Sequence, residues 1–141
     1  MKKEIGVYID RTYKVVRQDL INRFKKANID ITPEQWVILS QLEKKTLSQV
    51  ELASQSFKDK HTVSRIIDLL QKKGFVNRTQ DPDDGRRYLI SLTEKGMSET
   101  ARAKEHVYAS RELGWENITE EEYNQLRSLL DKVFTSYSDK S

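Results

Sequence analysis

Apolar residues recur at helical spacing along most of the chain, and one short region alternates at the spacing of β-strands. Between Glu4 and Asn28 the apolar positions are separated by three, four or seven residues, and they comprise Ile5, Ile9, Val16, Leu20 and Phe24. This periodicity predicts one long helix with a basic opposite side. The stripe fits the core of the chain's own fold, and it also fits contact with a partner helix. The pattern leaves both readings open.

Three segments have the composition of a capping box, in which a Ser or Thr and a residue three positions later satisfy the unpaired amides of a helix start. They are Thr32-Pro33-Glu34-Gln35, Ser48-Gln49-Val50-Glu51 and Thr119-Glu120-Glu121-Glu122. The first predicts a helix that ends near Lys44-Lys45, since cations favour the negative end of the helix dipole. The second predicts a short helix, because Ser54-Gln55-Ser56 breaks its apolar pattern.

A second helix is predicted directly after this short one, with Phe57 as an apolar plug in the turn between them. Asp59 is the expected N-cap of a helix from Lys60 to Lys73, and Gly74 is its expected terminator. The predicted buried face consists of Val63, Ile66, Ile67 and Leu70. The outward side of the first two turns then carries Lys60, His61, Thr62, Ser64 and Arg65.

Residues 75–79 and 87–92 alternate and are rich in strand formers, while residues 80–86 are turn formers, so a β-hairpin with a long tip is predicted. Thr46-Leu47 is a candidate for a small strand beside it. Thr93 is expected to start a helix toward Leu113, with a break at residues 114–117 before the last helix and a polar tail at 138–141. The fold class is therefore mainly α with a small β-hairpin wing, and the order helix, helix, hairpin is that of a winged helix-turn-helix.

Charge is uneven along the 141 residues, whose 25 basic and 22 acidic side chains give a net charge of only +3. From Lys58 to Arg78 there are six basic and two acidic residues, so this stretch alone carries +4. A helix that enters the major groove of DNA presents its N-terminal turns to the bases, and Arg, Lys, Ser and Thr suit base edges and phosphates. The local charge therefore favours a DNA-binding function for the helix that starts at Lys60.

The hairpin tip supplies a second basic group, Arg86 and Arg87, next to Gly85. A wing can place a guanidinium in the narrow minor groove, where the negative potential is strongest. Asp84 would then pair with an Arg and fix the loop. The alternatives are a solvated charged hairpin that contacts nothing, and a winged-helix protein-interaction module that binds no operator.

Other classes of function lack support in the sequence. Without cysteine there are no disulfides and no thiolate metal sites, and no nucleophile–base pair or phosphate-binding glycine loop is present. Asp83-Asp84 imitates a paired-carboxylate site, but adjacent acids in a turn are usually solvated. We expect no enzyme, no cofactor and no bound metal. With no long apolar segment after Met1-Lys2-Lys3, we expect a soluble cytoplasmic protein without a membrane span.

The hairpin and the preceding helix resemble the MarR family of bacterial winged-helix transcription factors, and the resemblance covers nearly the whole chain. The most specific element is the wing signature Asp-x-Arg-x5-Leu-Thr, which stands here as residues 84–93, from Asp84 to Thr93. The segment from Thr62 to Val76 is also similar to the family's recognition helix and first wing strand.

The resemblance implies a single domain over residues 1–141, with a DNA-binding lobe at 32–93 and dimerisation helices at 1–28 and 94–141. Such proteins are homodimers that bind pseudo-palindromic operators in double-stranded DNA, usually as repressors. Arg86 would enter the minor groove with Asp84 in support, and the five outward residues from Lys60 to Arg65 would face the major groove.

The resemblance also implies release of DNA by a small phenolic or anionic ligand. The candidate pocket residues are Tyr13, Arg17 and Trp36, although the core is the better reading of Trp36, since tryptophan is usually well buried. Cysteine-based peroxide sensing is impossible in this chain. Metal sensing has poor support, because His61 and His106 are the only histidines and His61 lies where DNA would be.

Overall fold

The computed structural model describes residues 4–138, which fall into two compact units that divide after Val107. The elements in chain order are α1 (Ile5–Lys26), α2 (Pro33–Gln41), β1 (Leu47–Ser48), α3 (Gln49–Ser56), α4 (Lys60–Lys72), β2 (Val76–Gln80), β3 (Tyr88–Leu92), α5 (Glu94–Trp115) and α6 (Glu120–Ser138). The fold is therefore mainly helical with one small sheet, and helix, helix and hairpin follow one another as predicted. Residues 139–141 of the expected polar tail lie outside the described residues, while Ser138 still belongs to α6.

The first unit has one hydrophobic core, built from α2, α3, α4, the sheet, the end of α1 and the part of α5 that reaches Val107. The predicted inward face of α4, Val63, Ile66, Ile67 and Leu70, is buried as expected. Leu39, Leu52 and Ile90 are fully buried from three other elements. Trp36 also belongs to this core, with 6% of its surface exposed. Within α1, by contrast, only Phe24 is buried.

The three capping boxes form, and they explain why the helices begin where they do. Thr32 accepts from the Gln35 amide while Gln35 accepts from the Thr32 amide, and Ser48 and Glu51 repeat this exchange. Thr119 and Glu122 do the same at the start of α6. Reciprocal caps satisfy two otherwise unpaired amides at each helix start, so these predictions are confirmed.

The sheet has the strand order β1-β3-β2 and is antiparallel throughout. The small strand suggested at Thr46-Leu47 forms one residue later, at Leu47–Ser48, and β1 pairs Leu47 with Ile90 beside the hairpin. β2 and β3 pair from Val76 opposite Leu92 to Gln80 opposite Tyr88. The hairpin is therefore anchored at its base against the helix-turn-helix, and its tip extends from there.

Two helix ends and one side chain differ from expectation. α2 ends at Gln41, not near Lys44-Lys45, because Leu42 closes the last turn onto the Leu39 carbonyl and is buried. α5 continues through Gly114 to Trp115, since one glycine costs a helix only about 1 kcal/mol. Phe57 is not an apolar plug: it lies in the left-handed region at φ 58° and is 80% exposed.

The second unit contains the end of α5 and all of α6. Trp115 and Tyr123 form an edge-to-face aromatic pair with ring centroids 4.7 Å apart, which joins the two helices across their turn. Across its 19 residues α6 buries no side chain. Its apolar face is exposed and comprises Leu126, Leu129, Leu130, Val133, Phe134 and Tyr137. Nowhere in residues 4–138 does a helix combine the length and the apolar character that crossing a membrane requires.

Candidate nucleic-acid interface

The N-terminus of α4 is fixed by Asp59, as predicted. Asp59 Oδ1 accepts from the Thr62 amide at 2.8 Å, and Oδ2 accepts from the Thr62 hydroxyl at 2.9 Å. The amide hydrogen bond from Thr62 is the main reason that the pKa of Asp59 is lowered. The carboxylate therefore stays charged at neutral pH, at the positive end of the α4 dipole.

The five residues predicted to face the major groove differ in their exposure to solvent. Lys60, His61 and Arg65 are exposed, whereas Thr62 and Ser64 are half-buried. The Thr62 hydroxyl already donates a hydrogen bond to Asp59. The first two turns of α4 therefore offer two cations and one imidazole to a ligand.

The wing tip is a tight loop held by its aspartates. Asp84 Oδ1 accepts from the Arg86 amide at 3.1 Å, and the Asp84 carbonyl accepts from the Arg87 amide at 3.0 Å. Asp81 Oδ1 accepts from the Asp83 amide at 2.9 Å. Asp84 thus supports Arg86 through its backbone amide, and not through the side-chain ion pair we expected. The Arg86 side chain is exposed.

Arg87 makes different contacts from Arg86. Its Nη2 donates to Glu51 Oε1 at 2.8 Å, and its Nε lies 3.7 Å from Asp81 Oδ2. Glu51 therefore serves both the capping box of α3 and the wing. Hydrogen bonds from Ser48, and then from Arg87, lower the pKa of Glu51. No signal in the sequence predicts this pairing, because nothing periodic connects two residues that lie 36 positions apart.

A cleft of about 360 Å³ lies where the start of α3, the start of α4 and the wing converge. It is lined by Gln49, Val50, Lys60, Asp84, Arg86, Arg87 and Tyr88. The structure thus brings one predicted major-groove residue, Lys60, together with both wing arginines. Three cations and one carboxylate, that of Asp84, stand among these lining residues, so the cleft suits a negatively charged partner such as a phosphate.

The predicted ligand-pocket residues separate into two groups. Arg17 donates from Nε and Nη2 to the Glu34 carboxylate at 2.8 and 2.5 Å, and Tyr13 lies near enough to raise the pKa of Arg17 further. Hydrogen bonding from Arg17 lowers the pKa of Glu34. Trp36 is a core residue. Tyr13 and Arg17 therefore lie close together, and the Glu34 carboxylate already accepts two hydrogen bonds from the Arg17 guanidinium.

No group of three or more His, Asp or Glu side chains suited to a metal ion occurs in residues 4–138. His61 and His106 lie on different helices, α4 and α5.

Comparison with known proteins gives consistent results. Residues 31–88 match the sequence model of a protein family that is described as "MarR family". The regulator SarZ of Staphylococcus aureus is 33% identical over 136 residues, which span 91% of this chain and 89% of SarZ. The regulator YdcH of Bacillus subtilis, described as uncharacterized, is 37% identical over 82 residues.

Some curated relatives are longer than the region they share with this chain. The alignment spans 56% of YdcH, and that with the regulator PapX of Escherichia coli spans 62% of PapX.

Among solved structures, the transcriptional repressor CouR bound to a 23-mer DNA duplex matches with a TM-score of 0.81 and 25% identity, over 94% of this chain and 93% of CouR. A mutant of Escherichia coli MarR, complexed with operator DNA, matches with a TM-score of 0.74 and 26% identity, over 92% and 96% of the two chains.

Proposed function

The chain belongs to the MarR family, and we propose that it is a transcriptional regulator that binds specific sites in double-stranded DNA through its winged helix-turn-helix. The named relatives are regulators of transcription and not enzymes. The observation that carries the proposal is the convergence of Lys60, Arg86 and Arg87 on one cleft beside the N-terminus of α4. Cations on a helix start and on a wing are the two contacts a winged helix needs.

In this proposal the lobe at residues 32–93 reads DNA with α4 in the major groove. Lys60 and Arg65 donate to guanine O6 and N7 or to phosphates, and His61 reaches the same groove. Thr62 and Ser64, which are half-buried, contribute from the sides of the helix. CouR and the Escherichia coli MarR mutant, which have this fold, have been solved with DNA bound.

The wing would contact the minor groove through Arg86. Its exposed guanidinium stands at the tip of a loop that Asp84 shapes by accepting from the Arg86 amide. A preformed loop lowers the entropy lost when the arginine enters the groove. Arg87, which is ion-paired with Glu51 at the base of the same loop, contributes mainly by holding the wing against α3.

We propose that the protein acts as a homodimer, with residues 1–28 and 94–141 as the dimerisation region. Val7 and Val15 of α1 are each 67% exposed, and α6 exposes an apolar face without a single buried residue. Exposed apolar faces that run along a whole helix are expected to be covered by another chain. Two copies related by a twofold axis would read half-sites of a pseudo-palindrome roughly 10 base pairs apart.

The proposed mode of action is repression that a small phenolic or anionic effector relieves. Such an effector would act at Tyr13 and Arg17 by displacing the Glu34 carboxylate from the Arg17 fork. Because this ion pair joins α1 to the start of α2, its loss would change how the helical region holds the DNA-binding lobe. Trp36 would line this region from the core and not contact the effector directly.

Selection of DNA from a random pool tests the proposal, followed by fluorescence-anisotropy titration of the enriched sequence at several salt concentrations. We expect an enriched pseudo-palindrome. The logarithm of affinity should fall linearly with the logarithm of salt, by about 0.9 for each phosphate contact. If no sequence is enriched and binding shows no salt dependence, the winged helix does not read DNA, and a protein-interaction module becomes the better account.

A further inference from the structure

Arg78 lies on the inner face of the wing, between the sheet and α4. It stands in the middle of β2 opposite Ile90, whose side chain is fully buried, and only 21% of the Arg78 side chain is exposed. Its Nη1 contacts Asp68 Oδ1 of α4 at 2.9 Å. Its guanidinium also lies over the ring of Tyr88 of β3, 5.9 Å from the centroid. One side chain therefore joins the recognition helix to both strands of the wing.

Burying the Arg78 guanidinium in this position costs free energy. Nε and Nη2 of Arg78 are buried, and neither has a hydrogen-bond partner within the described part of the chain. A buried unsatisfied donor costs free energy that an apolar side chain of similar size would avoid. The Asp68 carboxylate and the Tyr88 ring offset part of that cost. Directional contacts of this kind fix a relative orientation, which nonpolar packing does less well.

The contacts of Arg78 fix the orientation of the wing relative to α4, and the proposed DNA contacts lie on these two elements. Asp68 lies on the same helix as Lys60 and Arg65, and Tyr88 lies directly after Arg86 and Arg87 in the chain. Tyr88 also lines the cleft at which the wing and the start of α4 converge. A shift of the wing about α4 would move the proposed minor-groove contact away from the proposed major-groove contacts.

We propose that Arg78 is a positioning residue: its contacts with Asp68 and Tyr88 lock the wing to the recognition helix, so that Arg86 and the α4 residues engage DNA together. The inference rests on the proposed DNA-binding function. It assigns Arg78 no contact with DNA, because its guanidinium is enclosed between α4 and the sheet.

Three variants test the lock through DNA binding. Arg78→Met keeps the aliphatic stem, Arg78→Lys keeps the charge without the planar fork, and Asp68→Asn removes the partner while leaving Arg78 in place. We expect Arg78→Met and Asp68→Asn each to weaken affinity for the selected DNA roughly tenfold, and Arg78→Lys to recover part of it. Asp30→Asn is the matched control for Asp68→Asn: it removes an ion pair at the C-terminal end of α4 that does not involve the wing, Asp30 with Lys73 at 3.4 Å, and should leave affinity unchanged.

Two further readouts distinguish positioning from a direct contact and from general stability. The Arg78→Met, Arg86→Ala double variant should have the same salt slope as Arg86→Ala alone, whereas a phosphate contact made by Arg78 itself would lower the slope of the double variant by about a further 0.9. Arg86→Ala should cost much less affinity in the Arg78→Met background than in the wild-type background, because a displaced wing no longer delivers Arg86. A lower slope in the double variant than in Arg86→Ala, or equal costs of Arg86→Ala in both backgrounds, would overturn the proposal.

A measurement without DNA separates failure of the lock from failure of the proposed function. The chain contains no cysteine, so nitroxide labels can be placed at Lys72→Cys in the last turn of α4 and Gly85→Cys at the wing tip, where a Cβ meets no atom within 4 Å. With labelled protein diluted into excess unlabelled protein, pulsed electron resonance should give a narrow distance distribution. Arg78→Met and Asp68→Asn should broaden it, and Asp30→Asn should not.

If the distribution is equally narrow in all four proteins, Arg78 does not lock the wing, whatever the DNA titrations show. If it broadens as expected while the wild-type protein binds no DNA, the lock stands and the proposed function fails. Should Arg78→Met not fold, Asp68→Asn carries the same test, because it leaves the buried guanidinium and its packing in place.

Discussion

Arg87 Nη2 donates to Glu51 Oε1 at 2.8 Å, which ties the base of the wing tip to the first turn of α3. The same oxygen of Glu51 accepts from the Ser48 amide at 3.2 Å. One carboxylate therefore holds a helix start and a hairpin together. The two arginines of the wing consequently have different roles, although they are neighbours in the sequence.

Replacing Glu51 by Gln tests this division of roles. Gln at the third helical position still completes a capping box, so the free energy of unfolding should change by less than about 1 kcal/mol. Affinity for the selected DNA should fall several-fold with an unchanged salt slope, because the wing loses its charged anchor. A rise in affinity, with a slope steeper by about 0.9, would mean that the released Arg87 binds a phosphate, as the sequence suggested.

Arg86 is the wing residue expected to contact DNA directly. Arg86→Ala should weaken affinity for the selected DNA by about 1–3 kcal/mol and reduce the salt slope by about 0.9, with no loss of thermal stability. Lys44→Ala, which removes an exposed cation outside α4, the wing and the proposed dimerisation region, is the control and should change neither quantity. Unchanged binding by Arg86→Ala would remove the wing from the proposed interface.

Local signals in the sequence predicted most of the helix starts and much of the core of the first unit. Thr32, Ser48, Asp59 and Thr119 all cap the helices they were expected to cap, because a cap depends on residues within one turn. The apolar stripe of α4 was also correct, since period 3.6 reports one buried face.

Contacts between distant elements could not be predicted in this way. The pairs Arg17 with Glu34, Arg87 with Glu51 and Arg78 with Asp68 join residues that no local pattern connects. They decide which charged side chains are available to a ligand and which already hold the fold together. That is why the sequence grouped Arg86 with Arg87, and why it assigned no role to Arg78.

Gly96 is the glycine of α5 that the backbone between α4 and β2 approaches most closely. A Cβ at this position would lie 1.9 Å from the carbonyl oxygen of Phe75, a backbone atom that cannot move aside. Gly96→Ala should therefore destabilise the protein by about 3 kcal/mol or more, as measured by urea unfolding. Gly114→Ala on the same helix meets no atom within 4 Å and should be neutral or slightly stabilising. Equal stability of the two variants would contradict this packing.

Phe57 occupies a backbone conformation that favours Gly or Asn, at φ 58° in the turn between α3 and α4. Because its side chain is 80% exposed, Phe57→Asn should lose little buried surface and should stabilise the protein by about 1 kcal/mol. Asn28, at φ 56°, provides the converse control: Asn28→Ala should destabilise by a similar amount. Urea unfolding of both variants measures the change in the free energy of unfolding, which should be an increase for Phe57→Asn and a decrease for Asn28→Ala. Destabilisation by Phe57→Asn would show that the exposed ring contributes to the stability of the fold.

The ion pair between Arg17 and Glu34 should make stability depend on pH. Hydrogen bonding from Arg17 lowers the pKa of Glu34 in the folded state below the ordinary value of 4.5. A lowered carboxyl pKa contributes stability above the unfolded pKa, and that contribution is lost as pH falls through the folded pKa. With 28% of the Glu34 side chain and 36% of the Arg17 side chain exposed, we expect a contribution of about 1 kcal/mol.

Glu34→Gln isolates this contribution from those of Glu51 and Asp59, whose pKa values are also lowered. The variant should be about 1 kcal/mol less stable than the wild-type protein at pH 7, and the difference should shrink as pH falls below 4.5. Urea unfolding of both proteins across that pH range measures it. Because an anionic effector would compete with the same carboxylate for Arg17, the variant should also bind that effector more tightly. A stability difference that does not vary with pH would mean that Glu34 acts through packing and not through its charge.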